Sequence, residues 1–383
     1  MIPTSHGGLI VTFAAQTLLS IAVGASAVAD EAPSSRPHAA RPSAPARADI
    51  AAPVLKGTPA RREFDERHMG SVFHIVVYSD DEAAARRASR AAFDRVAQLD
   101  DALSDYNPAS ELSRLCNQAG GPPVRVGRDL LFALERAVDM AERSQGAFDP
   151  TVGPVVRLWR RARRERKLPD AALLNEARAL VGYKMITIDH AKMTVQLAKP
   201  GMKLDLGGLG KGMAAQAAFE VLKKLGFRSS LVAGDGDIVV GDAPPGRDGW
   251  IIEVDPLEDA DLAARRKIVL THCAISSSGD AERYVEINGK RYAHIVDPRT
   301  GVGVVDRAGV TVVAPDGTTS DSIDTAAYVL GPERGLALIQ SIPHAEGLIV
   351  RQTRAGLQTW MTPHFMTLAE PPGPALKAET APR

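Results

Sequence analysis

Between residues 229 and 313 four strand-like runs, 229–240, 250–255, 282–287 and 308–313, follow one another with no helical pattern between them. Parallel neighbours need a crossover of about a dozen residues or more, usually a helix, whereas antiparallel neighbours need only a turn. The spacing therefore argues against strict βαβ alternation and against a Rossmann domain. Further strand-like runs at 72–78 and 184–197, and helical patterns at 83–103, 129–145, 210–225 and 320–340, complete the reading. The expected fold is α+β, with mixed, largely antiparallel sheets and packed helices.

The apolar stretch from Ile10 to Ala27, closed by Ala25-Ser26-Ala27, has the form of a secretory signal occupying residues 1–29. It contains Gln16 and barely reaches the ~20 apolar residues of a membrane span, so cleavage is preferred to an uncleaved N-terminal anchor. Export to the periplasm is the expectation, with no stable membrane span after cleavage. Residues 30–60, rich in Ala, Pro, Ser and Arg without periodicity, read as a linker, and 371–383 as a disordered tail. The folded part, 61–370, is either one domain or two interleaved subdomains.

Forty-six basic residues against 46 acidic ones leave no net field to draw in nucleic acid, so an anionic ligand has to be held locally. The one strong basic run, Arg160 to Lys167, invites an acidic partner or nucleic acid. It lies between Trp159 and Pro169 without interleaved aromatics, and a solvated helix end is the preferred reading. Cys116 and Cys273 are too few for a disulfide framework or a cysteine-rich metal site; one bridge or two free thiols remain open.

Four segments carry chemistry. Gly207-Gly208-Leu209-Gly210-Lys211-Gly212 follows the strand-like 202–206 and opens an apolar helix, so its backbone N–H groups can approach a phosphate at the positive helix end. It departs from the Walker pattern at Asp205 and Gly212, and a plain strand-to-helix turn is an equal reading. Ser320 is expected to cap a helix whose first turn holds Asp321, Asp324 and Thr325. Oxygens at i, i+3 and i+4 share a face and suit Mg²⁺, although acidic capping of the helix dipole explains the same residues. His294, at a strand end before Asp297-Pro298-Arg299-Thr300-Gly301, is a candidate base, and Arg299 orders that loop or meets a phosphate. In the Gly146–Pro154 loop, Phe148 is placed to flank an aromatic ring system, though a turn also accounts for the composition.

Taken in order, these segments resemble the FAD:protein FMN transferase family, also called ApbE. The resemblance runs from about Arg62 to Pro363 and rests on Met69-Gly70-Ser71, Tyr106 before Ser110-Glu111-Leu112-Ser113, the Gly146–Pro154 loop, Leu204 to Gly212, Ser277-Ser278-Gly279-Asp280, His294 to Gly301, and Asp321 to Thr325. It implies an Mg²⁺-dependent enzyme that takes FAD as substrate, moves its FMN half to a Ser or Thr hydroxyl of an exported acceptor flavoprotein, and releases AMP. An FAD pyrophosphatase giving FMN and AMP, or a non-catalytic flavin store, are the alternatives. By the resemblance, Asp321, Asp324 and Thr325 would hold the metal with the Gly208 carbonyl. Met69, Tyr106, Ala147, Phe148, Asp149, Asp205, Lys211 and His294 would contact FAD, and Asp321, Lys211 and His294 would be catalytic. The chain departs from the family pattern at Met213, Gln216, Asp235-Gly236-Asp237, Ser320 and Ser322.

Overall fold

A computed structural model describes residues 59–254, 257, 266–279, 284–305, 307–353 and 355–368. The signal-like residues 1–29, all but the last two residues of the linker, Asp280, and the tail 371–383 lie outside the described residues. Eight strands make one sheet whose spatial order follows chain order: β1 (Arg61–His68), β2 (Ser71–Tyr78), β3 (Ser230–Gly234), β4 (Asp237–Val240), β5 (Cys273–Gly279), β6 (Ala308–Ala314), β7 (Glu346–Thr353) and β8 (Gly356–Met361). Every neighbouring pair is antiparallel, in keeping with the expected largely antiparallel sheets. The remaining elements are insertions into this meander.

Both faces of the sheet are covered, which explains why its central strands read as unbroken apolar runs rather than alternating ones. Phe73, Ile75 and Val77 of β2 enter one core and Val76 enters the other; Val232 and Val239 point to the first, Leu231, Ala233, Ile238 and Val240 to the second. Every position of β3, β4 and β6 is buried. At roughly 1.5–3 kcal/mol per fully buried large apolar side chain, this double-sided burial outweighs any single neutral hydrogen bond.

The first core is covered by helices α1 (Glu82–Leu103), α2 (Glu111–Asn117), α3 (Arg128–Arg143), α6 (Gly210–Lys224), α7 (Gly317–Leu330) and α8 (Pro332–Gln340). The second is closed by the hairpin Trp250–Val254 with Arg266–Leu270 and by Phe365. A third, smaller core joins α4 (Gly153–Glu165) and α5 (Ala171–Arg178) to the hairpin Tyr284–Ile287/Lys290–Ala293 through Val155, Trp159, Ala177, Val285 and Tyr292.

The structure corrects several boundaries. The run 184–197 is two strands, Ile186–Asp189 and Thr194–Leu197, and 229–240 is two strands turned at Asp235-Gly236. Helix 320–340 breaks at Gly331-Pro332, since proline lacks the N–H that would continue the helix and glycine takes the positive φ of the joint. Residues 202–206 are not a strand: Leu204 N donates to Cys116 Sγ (3.2 Å) and Asp205 N to the Pro150 carbonyl (2.8 Å), which spends their donors outside any sheet. Ser320 is not a cap. Helix α7 starts a turn earlier, capped by Asp316, whose carboxylate accepts from Thr319 N at 3.0 Å.

Both cysteines are free thiols, on opposite sides of the sheet. Cys116 belongs to the helix-side core and Cys273 packs against the other, so the bridge left open by the sequence does not form. Burial pushes the Cys273 thiol up to about 12.

Candidate active site

Helices α6 and α7 cross with their backbones in contact. A Cβ on Gly212 would lie 2.1 Å from the Gly317 carbonyl oxygen and 2.6 Å from Asp321 Cβ, and one on Gly317 would lie 2.3 Å from the Gly212 carbonyl oxygen. Only glycine permits this approach, and it lets Gly212 N donate to Asp321 Oδ2 at 2.8 Å. A turn further along α7, Gly208 lies against Thr325: its Cβ would be 3.1 Å from Thr325 Oγ1 and 3.0 Å from Phe148 Cε2. Thr325 Oγ1 is 3.4 Å from Ser278 Oγ on β5. The glycine bend, the oxygen face of α7 and the Phe148 loop therefore meet at one point, although 117 residues separate Gly208 from Thr325.

The earlier start of α7 removes one explanation of the acidic residues. Asp321 and Asp324 sit in the second turn, Asp316 already caps, and neither carboxylate has a capping role. Both are buried, at 4% and 1% exposure, and Asp324 Oδ1 has no hydrogen-bond partner.

Charge in the cluster is unbalanced. Lys211 Nζ lies 2.8 Å from Asp235 and 3.6 Å from Asp237. Burial opposes its positive charge, but Asp237, Asp235 and Asp321 outweigh that cost and raise its pKa. Burial lifts the Asp321 carboxyl well above the usual carboxylate range, with Asp237 adding repulsion against the pull of Lys211 and Gly212 N. Asp324 is lifted likewise by burial, then by Asp321 and Asp237. Three carboxylates thus share one ammonium and Asp324 adjoins two of them, a deficit of positive charge that a divalent cation would fill.

The donors fit a hard cation. Carboxylates, a threonine hydroxyl and a carbonyl are all oxygens, and Mg²⁺ keeps several waters and needs only one or two carboxylates. No group of three or more His, Cys, Asp or Glu residues placed to hold a metal occurs among the described residues.

A second cluster borders the glycine bend. The basic run is not simply a solvated helix end: Arg160, on α4, reaches Asp205 at 2.9 Å, pairs with Asp105, and lies 4.3 Å above the Tyr106 ring. Asp205 also accepts from Gly207 N at 2.9 Å, so it fixes the bend. Tyr106 is otherwise exposed, at 75%. Arg160→Ala strands two carboxylates and should cost about 3 kcal/mol, the range for breaking a largely buried ion pair, read as a lowered urea midpoint with unchanged slope. A change under about 0.5 kcal/mol would show the pair to be ornamental.

The other sequence candidates are distributed as follows. Ala147 is buried, and Asp149 is buried within its own loop, accepting from Thr151 N and Tyr183 N at 2.8 Å each, while Phe148 points to Gly208. Met69 has φ +50 and donates its N–H to Asp100 at 2.7 Å. His294 follows strand Lys290–Ala293, in the segment held by Trp159 Nε1 donating to the Gly301 carbonyl at 2.8 Å. Arg299 orders its loop through Asp297, at 2.9 Å from both Nε and Nη2.

Asp237, Asp105 and Arg160 were not among the sequence candidates. The turn Asp235-Gly236 was the available signal for the first; nothing in spacing announces the other two. Among the departures, Gln216 Oε1 accepts from Gly317 N (3.1 Å) at the helix crossing, and Ser320 Oγ meets Ser276 Oγ at 2.8 Å, so both polar side chains have partners.

The family model for the ApbE family matches residues 69–349. The chain belongs to the ApbE family. An FAD:protein FMN transferase of Treponema pallidum is 33% identical over 306 residues, 76% of this chain and 84% of the relative. One of Haemophilus influenzae is 33% identical over 312 residues, covering 79% and 90%. The structure of a variant of flavin transferase ApbE from Vibrio cholerae superposes with a TM-score of 0.73 at 26% identity, over 81% of this chain and 99% of that one. The ApbE match spans every candidate residue from Met69 to Thr325.

Proposed function

We propose that this chain transfers the FMN moiety of FAD to a Ser or Thr hydroxyl of an exported target protein and releases AMP, with Mg²⁺ held by Asp321, Asp324, Thr325 and the Gly208 carbonyl. The observation that carries the metal assignment is the buried, partnerless Asp324 Oδ1 in a carboxylate-rich cluster that adjoins a glycine bend at a helix start. Family membership supports the reaction.

Bound there, Mg²⁺ would neutralise charge on the diphosphate and on the departing AMP. The chain's own groups do the rest. The N–H groups of Gly207, Leu209, Gly210 and Gly212 already donate to Asp205, Leu206 and Asp321, so at the start of α6 it is Lys211 that adds fixed positive charge, while Phe148 borders the space beside Gly208. His294 is assigned the acceptor hydroxyl's proton, a role worth about 10²–10⁴ in rate.

The test mixes the mature protein with FAD, Mg²⁺ and a candidate exported acceptor, then looks for flavin fluorescence that survives denaturation. Free FMN and AMP without labelled protein would reject transfer in favour of a pyrophosphatase; bound, unaltered FAD would leave only a store.

Export belongs to the proposal, supported by the apolar stretch before Ala27. Expressed in full length in a Gram-negative host, the chain should yield a periplasmic product whose amino terminus, read by mass spectrometry, lies close to Asp30. An intact Met1 in the membrane fraction would establish the anchor instead.

A further inference from the structure

Helix α4 and the loop after it present exposed positive charge at Arg164, Arg166 and Lys167 that no acidic side chain among the described residues neutralises. From Arg161 to Leu173 inclusive there are five cationic side chains and two acidic ones, Glu165 and Asp170. Glu165 is taken by Arg161 at 2.7 Å, and Asp170 caps α5 by accepting from Ala172 N and Leu173 N. The exposed side chains of Arg164, Arg166 and Lys167 make no ion pair or hydrogen bond among the described residues. In a chain of zero formal charge, three such neighbours are a local field rather than a general one.

Two further observations separate this surface from an ordinary solvated helix end. Leu168 and Leu173 are exposed beside the cations, at 40% and 46%. Arg166 closes α4 at φ +50, ψ +38, the left-handed position that glycine fills at least cost; an arginine there gives up conformational ease to keep a long cationic side chain at the helix end.

The surface is also coupled rigidly to the segment carrying His294. Trp159, one residue before the run, donates to the Gly301 carbonyl and packs on Tyr292 with ring centroids 5.1 Å apart; Arg178 of α5 donates to the Arg299 carbonyl at 2.8 Å.

We infer that Arg164, Arg166, Lys167, Leu168 and Leu173 form the docking surface for the acceptor protein, engaging an acidic segment of it that also carries apolar side chains. This rests on the transferase reading. Charge complementarity at such a rim acts mainly on the association rate and is weakened by salt, while the leucines supply the apolar contact.

The test uses the mature protein and a fluorescein-labelled ten-residue peptide of alternating Asp, Glu and Leu, with a Gln-for-acid peptide as control. Anisotropy should report binding of the acidic peptide only, weakened at least tenfold between 50 and 300 mM salt. The variant Arg164→Glu/Arg166→Glu/Lys167→Glu should bind it at least tenfold more weakly, and the milder Gln triple variant a few-fold more weakly. Both should keep their melting temperature and their FAD affinity, since none of these residues is in the catalytic machinery. Equal binding by wild type and variants, or binding insensitive to salt, would overturn the surface. So would vesicles of phosphatidylglycerol that capture the wild type when the peptide does not. Charge-dependent peptide binding by a protein that leaves FAD intact would support the surface and reject the transferase reading.

Discussion

Asp321→Asn should lower FMN transfer by about 10³-fold or more while leaving the metal-free protein as stable as the wild type or more so. The two effects have one origin. Losing a charged ligand removes electrostatic stabilisation that the chain cannot replace, and single preorganised groups of this kind are worth roughly 10²–10³ in rate even when uncharged. In the fold without metal, by contrast, Asp321 is a buried carboxylate beside Asp237 and Asp324. Burial and repulsion hold its pKa above the unfolded value, so its ionised form costs stability at neutral pH. That cost disappears as pH falls towards the ordinary carboxylate range near ~4. Asparagine keeps the volume and an oxygen to accept from Gly212 N. The variant's gain in melting temperature is therefore expected at pH 7 and absent near pH 4. Saturating Mg²⁺ should raise the wild-type melting temperature, by about 2.7 kcal/mol of stability at a hundred times Kd, and should do little for the variant. Undiminished turnover, or an equal Mg²⁺ response, would refute the metal assignment.

The chain's pattern discloses some of this and hides the rest for definite reasons. The largely antiparallel character is legible because successive apolar runs without crossover helices admit few arrangements, but the meander itself is not: the runs at 250–255 and 282–287 form separate hairpins, and the strands at 61–68, 273–279, 346–353 and 356–361 had no counterpart among the expected runs. The break in 320–340 was written in Gly331-Pro332, yet the apolar periodicity continues across it and masks the joint. The start of α7 was misplaced because Ser320 is a good capping residue by type; Asp316 wins as its carboxylate accepts from the Thr319 N–H and hydroxyl, while the Ser320 hydroxyl turns to Ser276. The strand expected at 202–206 failed since its pattern says nothing of the Pro150 carbonyl and Cys116 thiol that take its donors. In the site, the oxygens at 321, 324 and 325 were visible as a helical face, whereas the Arg160 bridge joins residues from three separate segments and leaves no local trace.

Gly212→Ala tests whether the helix crossing is the element that assembles the site. Elsewhere on an apolar helix the same substitution would stabilise by about 0.5–1 kcal/mol, because alanine is the better helix former. Here the added methyl would meet backbone on the facing helix, 2.1 Å from a carbonyl oxygen, and the Asp321 side chain at 2.6 Å. Neither can rotate away: Gly317 is fixed in the first turn of α7, and a Cβ there would meet the Gly212 carbonyl in turn. The helices must separate, and overpacking of this kind costs about 3 kcal/mol, well above the helix-propensity gain. A fall in melting temperature of roughly 5 °C follows for a folded part of about 300 residues. Separation also stretches the Gly212 N to Asp321 hydrogen bond, so Mg²⁺ stabilisation should fall along with thermal stability. Gly208→Ala is the informative contrast. Its Cβ would press on Thr325 and Phe148 side chains at about 3 Å, which can yield, so its stability should change by less than about 1 kcal/mol while FMN transfer is impaired. If Gly212→Ala kept both its melting temperature and its Mg²⁺ response, the close approach of α6 and α7 would not be what holds the acidic face against the glycine bend.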